Sequence, residues 1–356
     1  MLKLPKLARA AVVCAVFVTL DPLQAQSPKV LPSVPPKSET DENRLDDAAR
    51  GMAVERLARS LETNYVKPAL GDSLARLIRG RSATRAYASL SNPRAFADAL
   101  SRDLDSIAHD LHLWVRYFPP MANANQGPDL DDTWLNHGYP SATILDGNVG
   151  YLDVRNFLPG PSALRTMAAA MTLLRDCDAL IIDIRNNGGG AAGMVLRLAS
   201  YLFADSVHLS DLYWRDLPDT VRGWTQPGSV GFHLSQQRLY VLTSRRTFSA
   251  AEDFAYSLKE QGRATIIGER TRGGAHSAKG GPQDLGSGLR ALVPSGESVG
   301  VKSKQNWERV GVAPDIMTAD SLAQRTAHRT AVEALISDAP PGQRRDRLER
   351  VLARLK

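Results

Sequence analysis

The apolar residues that follow the first 45 positions are spaced as in helices. Val54, Leu57 and Leu61 recur at steps of three and four, which places them on one face of a helix. Asn92-Pro93 is a helix-start signal, because asparagine caps a helix and proline suits its first turn. We therefore predict a small helical domain over residues 46–118.

From residue 119 onward, short apolar runs alternate with segments of helical spacing. The run at 179–184 is almost continuously apolar, as in a strand buried on both faces. Strands that alternate with helices predict an α/β core with a largely parallel sheet over residues 119–336. The predicted strands are 148–155, 179–184, 239–243 and 264–267, and the predicted helices are 162–175, 194–203 and 250–258. Residues 289–293 and 298–302 predict a late hairpin, and the basic residues 337–356 a C-terminal helix.

The N-terminus has the pattern of an export signal. The first nine residues carry three Lys or Arg and no acid, and residues 10–20 form an apolar run. That run is too short to span a bilayer, which takes roughly 20 residues. We expect a signal peptide over residues 1–25, with a small residue at Ala25 for cleavage, and a Pro-rich spacer over residues 26–45. If the segment is not cleaved, it becomes a membrane tether.

Composition narrows the class of protein. The 356 residues suit one large or two moderate domains, and 23% charged residues are ordinary for a soluble chain. The net charge of +6 comes without interleaved basic and aromatic residues, so we expect no nucleic-acid partner. Removal of the signal leaves Cys177 as the one cysteine, which excludes an internal disulfide and favours a bacterial periplasm. No Cys or His spacing indicates a metal site, and no cofactor is expected.

Ser249 lies where a predicted strand, a short turn and a predicted helix meet. A hydroxyl at a helix start is close to free backbone N–H groups and to the positive end of the helix dipole, which favours an alkoxide. The segment Ser249-Ala-Ala-Glu252 also matches a capping box, a purely structural motif. The two interpretations are compatible, because a capping serine can also act as a nucleophile.

A nucleophilic serine needs a base and donors for the developing oxyanion. His112 lies where the helical region becomes extended, and His276 follows a glycine-rich loop, so both are candidate bases. The glycines at 188–190 follow a buried strand and could turn their N–H groups towards a ligand, although they could equally form a tight turn. Glu308 lies beside Trp307 and could orient a histidine or form a surface salt bridge.

Six segments in a fixed order resemble one family, the C-terminal processing or tail-specific serine peptidases. The likeness extends from about residue 46 to 336 and is greater to the branch with the tricorn core and the interphotoreceptor retinoid-binding protein modules. The segments are Asp110-Leu-His, Gly150-Tyr-Leu, Asp183-Ile-Arg-Asn-Asn-Gly-Gly-Gly, Thr247-Phe-Ser-Ala-Ala-Glu, Gly268-Glu-Arg-Thr-Arg-Gly-Gly-Ala-His and Trp307-Glu-Arg-Val-Gly-Val-Ala-Pro-Asp.

The resemblance implies a ClpP/crotonase-like α/β core preceded by a helical cap. It implies a nucleophile at Ser249, a base at His112 and an acidic partner at Glu308. The implied oxyanion donors are the N–H groups of Gly188, Gly189 and Ala250. Relatives with a PDZ module use a Ser–Lys dyad instead, but Arg270 and Arg272 occupy the corresponding stretch, and arginine is a poor base. Lys279 lies beyond that stretch and is a second alternative to His112.

The expected activity is hydrolysis of peptide bonds in unfolded proteins or peptides through an acyl-enzyme. The alternative is a non-enzymatic protein that binds apolar small molecules or peptides on the same fold. We expect no integral membrane span after signal removal. The sequence does not indicate the cleavage preference or the oligomeric state.

Overall fold

The structure is a computed structural model that describes residues 44–119 and 133–355. The predicted signal peptide (1–25) and nearly all of the predicted spacer (26–45) lie outside the described residues. Within the described ranges, no helix combines the length and the apolar character needed to cross a bilayer.

Helices and strands alternate through most of the described chain. The helices are α1 (Asp47–Asn64), α2 (Pro68–Ala83), α3 (Pro93–Ala108), α4 (Pro161–Leu173), α5 (Ala192–Ser200), α6 (Ala250–Glu260), α7 (Asp320–Asp338) and α8 (Gln343–Leu355). The strands are β1 (Trp114–Tyr117), β2 (Ser141–Leu145), β3 (Val149–Asp153), β4 (Ala179–Asp183), β5 (His208–Trp214), β6 (Val221–Trp224), β7 (Arg238–Thr243), β8 (Thr265–Gly268), β9 (His276–Ser277), β10 (Gln283–Gly286), β11 (Leu289–Leu292), β12 (Gly296–Gly300) and β13 (Ile316–Met317).

A six-stranded sheet forms the centre of the α/β core. Its order is β13-β8-β7-β4-β3-β2, and every neighbouring pair is parallel except β2 with β3. Successive side chains of a strand point to opposite faces, so Leu180 and Ile182 of β4 join α4, α5 and α6 in one cluster. Ile181 of the same strand packs with α7 and α8 on the other face. Burial on both faces explains the continuous apolar run, and the predicted α/β class is confirmed.

The N-terminal helices begin at the predicted caps. The Asn92 side chain accepts the Ala95 N–H at 3.0 Å, and Pro93 occupies the first turn of α3. The helices bury a cluster of their own, which residues from both sides of position 118 complete, among them Val115 of β1 and Leu289 of β11. The predicted domain division at residue 118 stays a prediction.

The predicted late hairpin is wrong in its pairing. Both strands exist, but β11 pairs with β1 and β10, whereas β12 pairs with β5 and β9 in a different sheet. The side chains of β11 belong to the helical cluster, and the chain changes sheet between Leu292 and Gly296. Proximity along the chain suggested a hairpin, but burial of β11 against the helices decides its partners.

A four-stranded sheet, ordered β6-β5-β12-β9, lies beside the core. β9 is at its edge and pairs with β12 on one side. The site described below lies between this edge, the start of α6 and the turn that follows α3.

Candidate active site

Ser249 immediately precedes α6 in a strained backbone conformation. Its φ of 58° and ψ of −126° lie in a region that non-glycine residues rarely adopt. Such strain costs on the order of 1–3 kcal/mol and persists only where neighbouring structure enforces it. Here it holds the serine at the tip of the turn between β7 and α6.

Glu252 provides much of that enforcement. Its Oε2 accepts the N–H groups of Ser249 at 2.9 Å and Gly274 at 2.8 Å, and its Oε1 accepts from Gly273 at 2.7 Å and Thr271 Oγ1 at 2.5 Å. Burial raises the pKa of Glu252 to about 7, while these four donors oppose the rise. The carboxylate thus ties the serine turn to the loop 271–274. The sequence analysis considered Glu252 only as part of a capping box.

His112 and Ser249 meet in space although 137 residues separate them in sequence. His112 Nε2 lies 3.0 Å from Ser249 Oγ, a hydrogen-bonding distance. The histidine follows a turn at the end of α3, in which the Asp110 Oδ1 accepts the His112 N–H at 2.9 Å. The structure therefore brings the two residues into the contact that a nucleophile and its base require.

Phe248 fixes the plane of the imidazole. The His112 and Phe248 rings stack with centroids 4.4 Å apart and planes inclined by 20°. The Arg272 guanidinium covers the Phe248 ring, with Cζ 4.9 Å from the centroid. Burial, with smaller contributions from His276 and Arg272, lowers the pKa of His112 to about 4 against the opposing effect of Asp110. The imidazole is therefore neutral, and able to accept a proton, across the physiological range.

Glu308 lies in a turn at residues 308–310 that contacts the backbone at the start of β9. Its Oε2 accepts the backbone N–H groups of Ala275 at 2.6 Å and His276 at 3.1 Å, and it lies 3.9 Å from His276 Nδ1. Burial raises the pKa of Glu308, His276 opposes the rise, and Asp110 adds to it. Among the described residues, His112 Nδ1 and Glu308 Oε1 are both buried and make no hydrogen bond. The predicted acidic partner thus binds the loop backbone, and its role beside His112 stays a prediction.

Asp110 and His276 form a buried pair that sequence reasoning did not assign. His276 Nδ1 lies 2.7 Å from Asp110 Oδ2, which also accepts the Tyr65 hydroxyl at 3.0 Å. Burial lowers the pKa of His276, but Asp110 and two nearby glutamates outweigh it, so the net shift is upward. Asp110 therefore joins the ring of one histidine to the backbone of the other. The Asp110-Leu-His112 motif was the available signal.

The same pair, with Glu308, makes up a group whose ligating atoms lie within 4.8 Å of one another. Such a group could hold a cation in principle. Asp110 and His276 already satisfy each other, however, and Glu308 accepts two backbone donors. We assign no metal to it.

The other two candidate bases, His276 and Lys279, bond to acidic side chains rather than to the serine. His276 borders the same cleft as Ser249 but directs Nδ1 to Asp110. The Lys279 ammonium is exposed and bonds Asp216 at 2.8 Å. Of the three, His112 is the one found in hydrogen-bonding contact with Ser249.

The glycine turn lies directly against the serine. A Cβ on Gly189 would come within 2.8 Å of Ser249 Cβ, and its φ of 113° also favours glycine. The Gly189 N–H donates to Asn187 Oδ1 at 2.8 Å, so its amide is engaged within the turn. Ala250 and Gly190 border the cleft next to Ser249. The assignment of Gly188, Gly189 and Ala250 as oxyanion donors stays a prediction.

Ser249 opens into a cleft of about 340 Å³. The apolar walls include Leu212, Trp214, Leu292 and Trp307, and β9 forms one border. The cleft is large enough for a side chain and a short stretch of backbone.

Residues 148–318 match the sequence profile of peptidase family S41. This match covers 171 of the 356 residues and includes both the turn before α6 and Glu308. His112 lies N-terminal to the matched region, so the contact between His112 and Ser249 joins that region to the part of the chain before it.

Two relatives that match this chain are named as processing peptidases. The chloroplastic C-terminal processing peptidase of Tetradesmus obliquus is 30% identical over 211 residues, which is 54% of this chain and 40% of that one. The carboxyl-terminal-processing protease of a Synechocystis strain is 28% identical over 195 residues, or 51% and 42% of the two chains. The chain thus spans well under two thirds of the length of these relatives.

Solved structures show the same fold. The photosystem II D1 C-terminal processing protease aligns with a TM-score of 0.51 at 16% identity, over 77% of this chain and 94% of that one. A Streptococcus agalactiae lipoprotein aligns with a TM-score of 0.55 at 15% identity, over 80% and 96%. The predicted ClpP/crotonase-like core behind N-terminal helices is confirmed. The likeness to the retinoid-binding branch stays a prediction.

Proposed function

We propose that the protein is a serine peptidase that cleaves peptide bonds through an acyl-enzyme at Ser249, with His112 as the base. The observation that carries the proposal is the 3.0 Å distance between Ser249 Oγ and His112 Nε2. The match of residues 148–318 to the profile of peptidase family S41 supports it. The comparisons offer no support for the alternative of a non-enzymatic binder.

The chemistry follows from the positions of the two side chains. His112 Nε2 takes the Ser249 proton as Oγ attacks the substrate carbonyl carbon, and the carbonyl oxygen becomes an oxyanion. The N–H groups of Ala250, at the start of α6, and of Gly188, in the glycine turn, would stabilise that oxyanion, whereas the Gly189 N–H would have to leave Asn187 Oδ1 to take part. His112 then passes its proton to the departing amine. Water, deprotonated by the same imidazole, hydrolyses the ester and frees Ser249.

We infer that the substrates are unfolded proteins or peptides. The relatives are named for the processing of carboxyl termini, which are flexible in many proteins. β9 is an edge strand, and its residue Ser277 borders the cleft together with Ala278. An extended peptide can add to such an edge through main-chain hydrogen bonds. A folded substrate could not present an unpaired strand in this way.

A labelling experiment and a digestion experiment test the proposal. A fluorophosphonate should label the wild-type protein at Ser249, and the protein should digest a carboxymethylated, unfolded substrate. Ser249→Ala should lose both activities while its far-UV circular dichroism stays unchanged. Ser89→Ala, at an exposed site on the N-terminal helical part, is the matched control. Digestion by the Ser249→Ala variant at the wild-type rate would remove Ser249 from the mechanism.

We also propose that the chain is exported, and that the bacterial periplasm is its compartment. The basic, then apolar, composition of residues 1–20 supports export. Fractionation of the expressing cells and N-terminal sequencing of the recovered protein test this. A cytoplasmic protein that retains Met1 would contradict it.

A further inference from the structure

Asp253 is a buried carboxylate that borders the cleft and that the mechanism above does not use. It is 6% exposed and borders the same cleft as Ser249. Its Oδ1 accepts the Ser257 hydroxyl at 3.0 Å, and that hydroxyl also lies 3.1 Å from the Leu209 carbonyl oxygen. An acid in the first turn of a helix is common, but an acid that borders a reaction cleft is available to a ligand.

The helix places this carboxylate at a useful distance from the nucleophile. Ser249 immediately precedes α6, Asp253 lies in the first turn of that helix, and both side chains border the same cleft. A helix rises about 1.5 Å per residue, so the two positions are separated by roughly 6 Å. A side chain that enters the cleft beside a scissile bond at Ser249 would therefore come near Asp253. The four-carbon stem of a lysine, or the slightly longer arginine, spans a separation of this size.

The described lining of the cleft offers no lysine or arginine to neutralise Asp253. Among the described residues that border the cleft, the titratable side chains are His112, His276 and Asp253, and none is lysine or arginine. A buried carboxylate is costly unless a cation or several donors compensate it. At the rim, Lys279 covers the Trp214 ring at 5.4 Å but is paired with Asp216. Asp253 therefore brings a negative charge without a neighbouring lysine or arginine into the cleft that Ser249 also borders.

The walls suit the stem of a long basic side chain. Leu212, Trp214 and Leu292 border the same cleft as Asp253 and present apolar surface to it. Lysine and arginine bury their methylene groups against such surface and direct the charged end to a polar partner.

We propose that Asp253 selects substrates with a lysine or arginine next to the scissile bond. This inference rests on the proposed peptidase function and names its substrate class. A charge-assisted hydrogen bond in a buried site discriminates against a neutral side chain on the order of 10- to 100-fold.

Mapping of cleavage sites is the first test. The wild-type protein digests a carboxymethylated, unfolded protein, and mass spectrometry locates the cuts. The number of cuts next to Lys or Arg, corrected for residue abundance, should exceed the number next to the neutral side chains of Met and Leu by on the order of tenfold. Asp253→Asn and Asp253→Ser should bring that ratio close to one. Asp216→Asn, which removes an exposed acid that pairs with Lys279 and does not border the cleft, should leave the ratio as in the wild type.

A binding measurement keeps this inference separate from the proposed activity. Calorimetry with the Ser249→Ala variant should show n-butylguanidinium binding about tenfold or more tightly than neutral n-butylurea. The added Asp253→Asn change should abolish that difference. If wild-type protein cleaves nothing and Ser249 resists labelling, the proposed function fails, and the calorimetry still decides whether Asp253 binds a cation. Cleavage without a basic preference, a preference that survives in Asp253→Asn, or equal binding of the two probes would overturn the inference.

Discussion

Gly274 offers a direct way to displace the base without altering it. A Cβ added at this position would lie 2.2 Å from Phe248 Cε2 and 2.8 Å from His112 Cε1. Carbon atoms in contact are about 3.5–4.0 Å apart, so Gly274→Ala requires the Phe248 ring to retreat by more than about 1 Å. His112 stacks on that ring at 4.4 Å and must move or lose the stack.

The expected effect falls on activity more than on folding. Overpacking of this kind costs about 1–3 kcal/mol of stability, whereas a displacement of about 1 Å at reacting groups can cost on the order of 100-fold in rate. We therefore expect Gly274→Ala to fold, to unfold at a moderately lower urea concentration, and to react with a fluorophosphonate about 100-fold more slowly.

Two further variants make the result specific. Gly231→Ala is the matched control, because its added Cβ would meet no atom within 4 Å. In a Phe248→Leu background the added methyl group has more room, so Gly274→Ala should cost less there than in the wild type, a non-additivity that reports their contact. A Gly274→Ala protein that labels within about twofold of the wild-type rate would refute the packing argument.

Three other predictions concern the titratable groups. His112→Ala should reduce kcat/KM by about 10²–10⁴-fold, the usual contribution of a general base, and a reduction under tenfold would assign the role elsewhere. Because burial lowers the pKa of His112 to about 4, the base stays neutral above that pH, and the acid limb of kcat/KM should have its midpoint near pH 4; a midpoint near 6.5 would contradict the buried environment. Burial raises the pKa of Asp253 from 3.8 to about 6, so its ionisation destabilises the folded state as pH rises through this range. Urea unfolding should therefore show Asp253→Asn to be more stable than wild type at about pH 8, by up to about 3 kcal/mol, and the gap should close near pH 4; a gap that does not depend on pH would contradict this sign.

Short-range patterns predicted the elements that carry the site. The continuous apolar run at 179–184 is buried on both sides in β4, because a strand between two helical layers has no polar face. The predicted strand, turn and helix around Ser249 correspond to β7, the serine turn and α6. These features depend on neighbours within a few residues, so the sequence carries their signal directly.

Pairings between distant segments depended on tertiary structure. The sequence offered His112, His276 and Lys279 as bases, and packing of the turn after α3 against Phe248 brought His112 to Ser249. It also suggested that 289–293 and 298–302 pair, whereas the helical cluster binds one strand and the sheet of β5 the other. The local pattern of apolar residues cannot show which of several apolar surfaces a strand will pack against.

The sequence by itself thus determined the helices around the site, among them α3 and α6, the buried strand β4 and the position of a serine at a helix start, although it did not predict α7. Only the tertiary structure decided that Asp110 serves two histidines, that Glu308 binds the backbone at Ala275, and that Asp253 borders the reaction cleft. The reason is physical. The secondary structure of a residue depends mainly on its neighbours within a few positions, whereas the partners of its side chain depend on which apolar surfaces pack together in the fold.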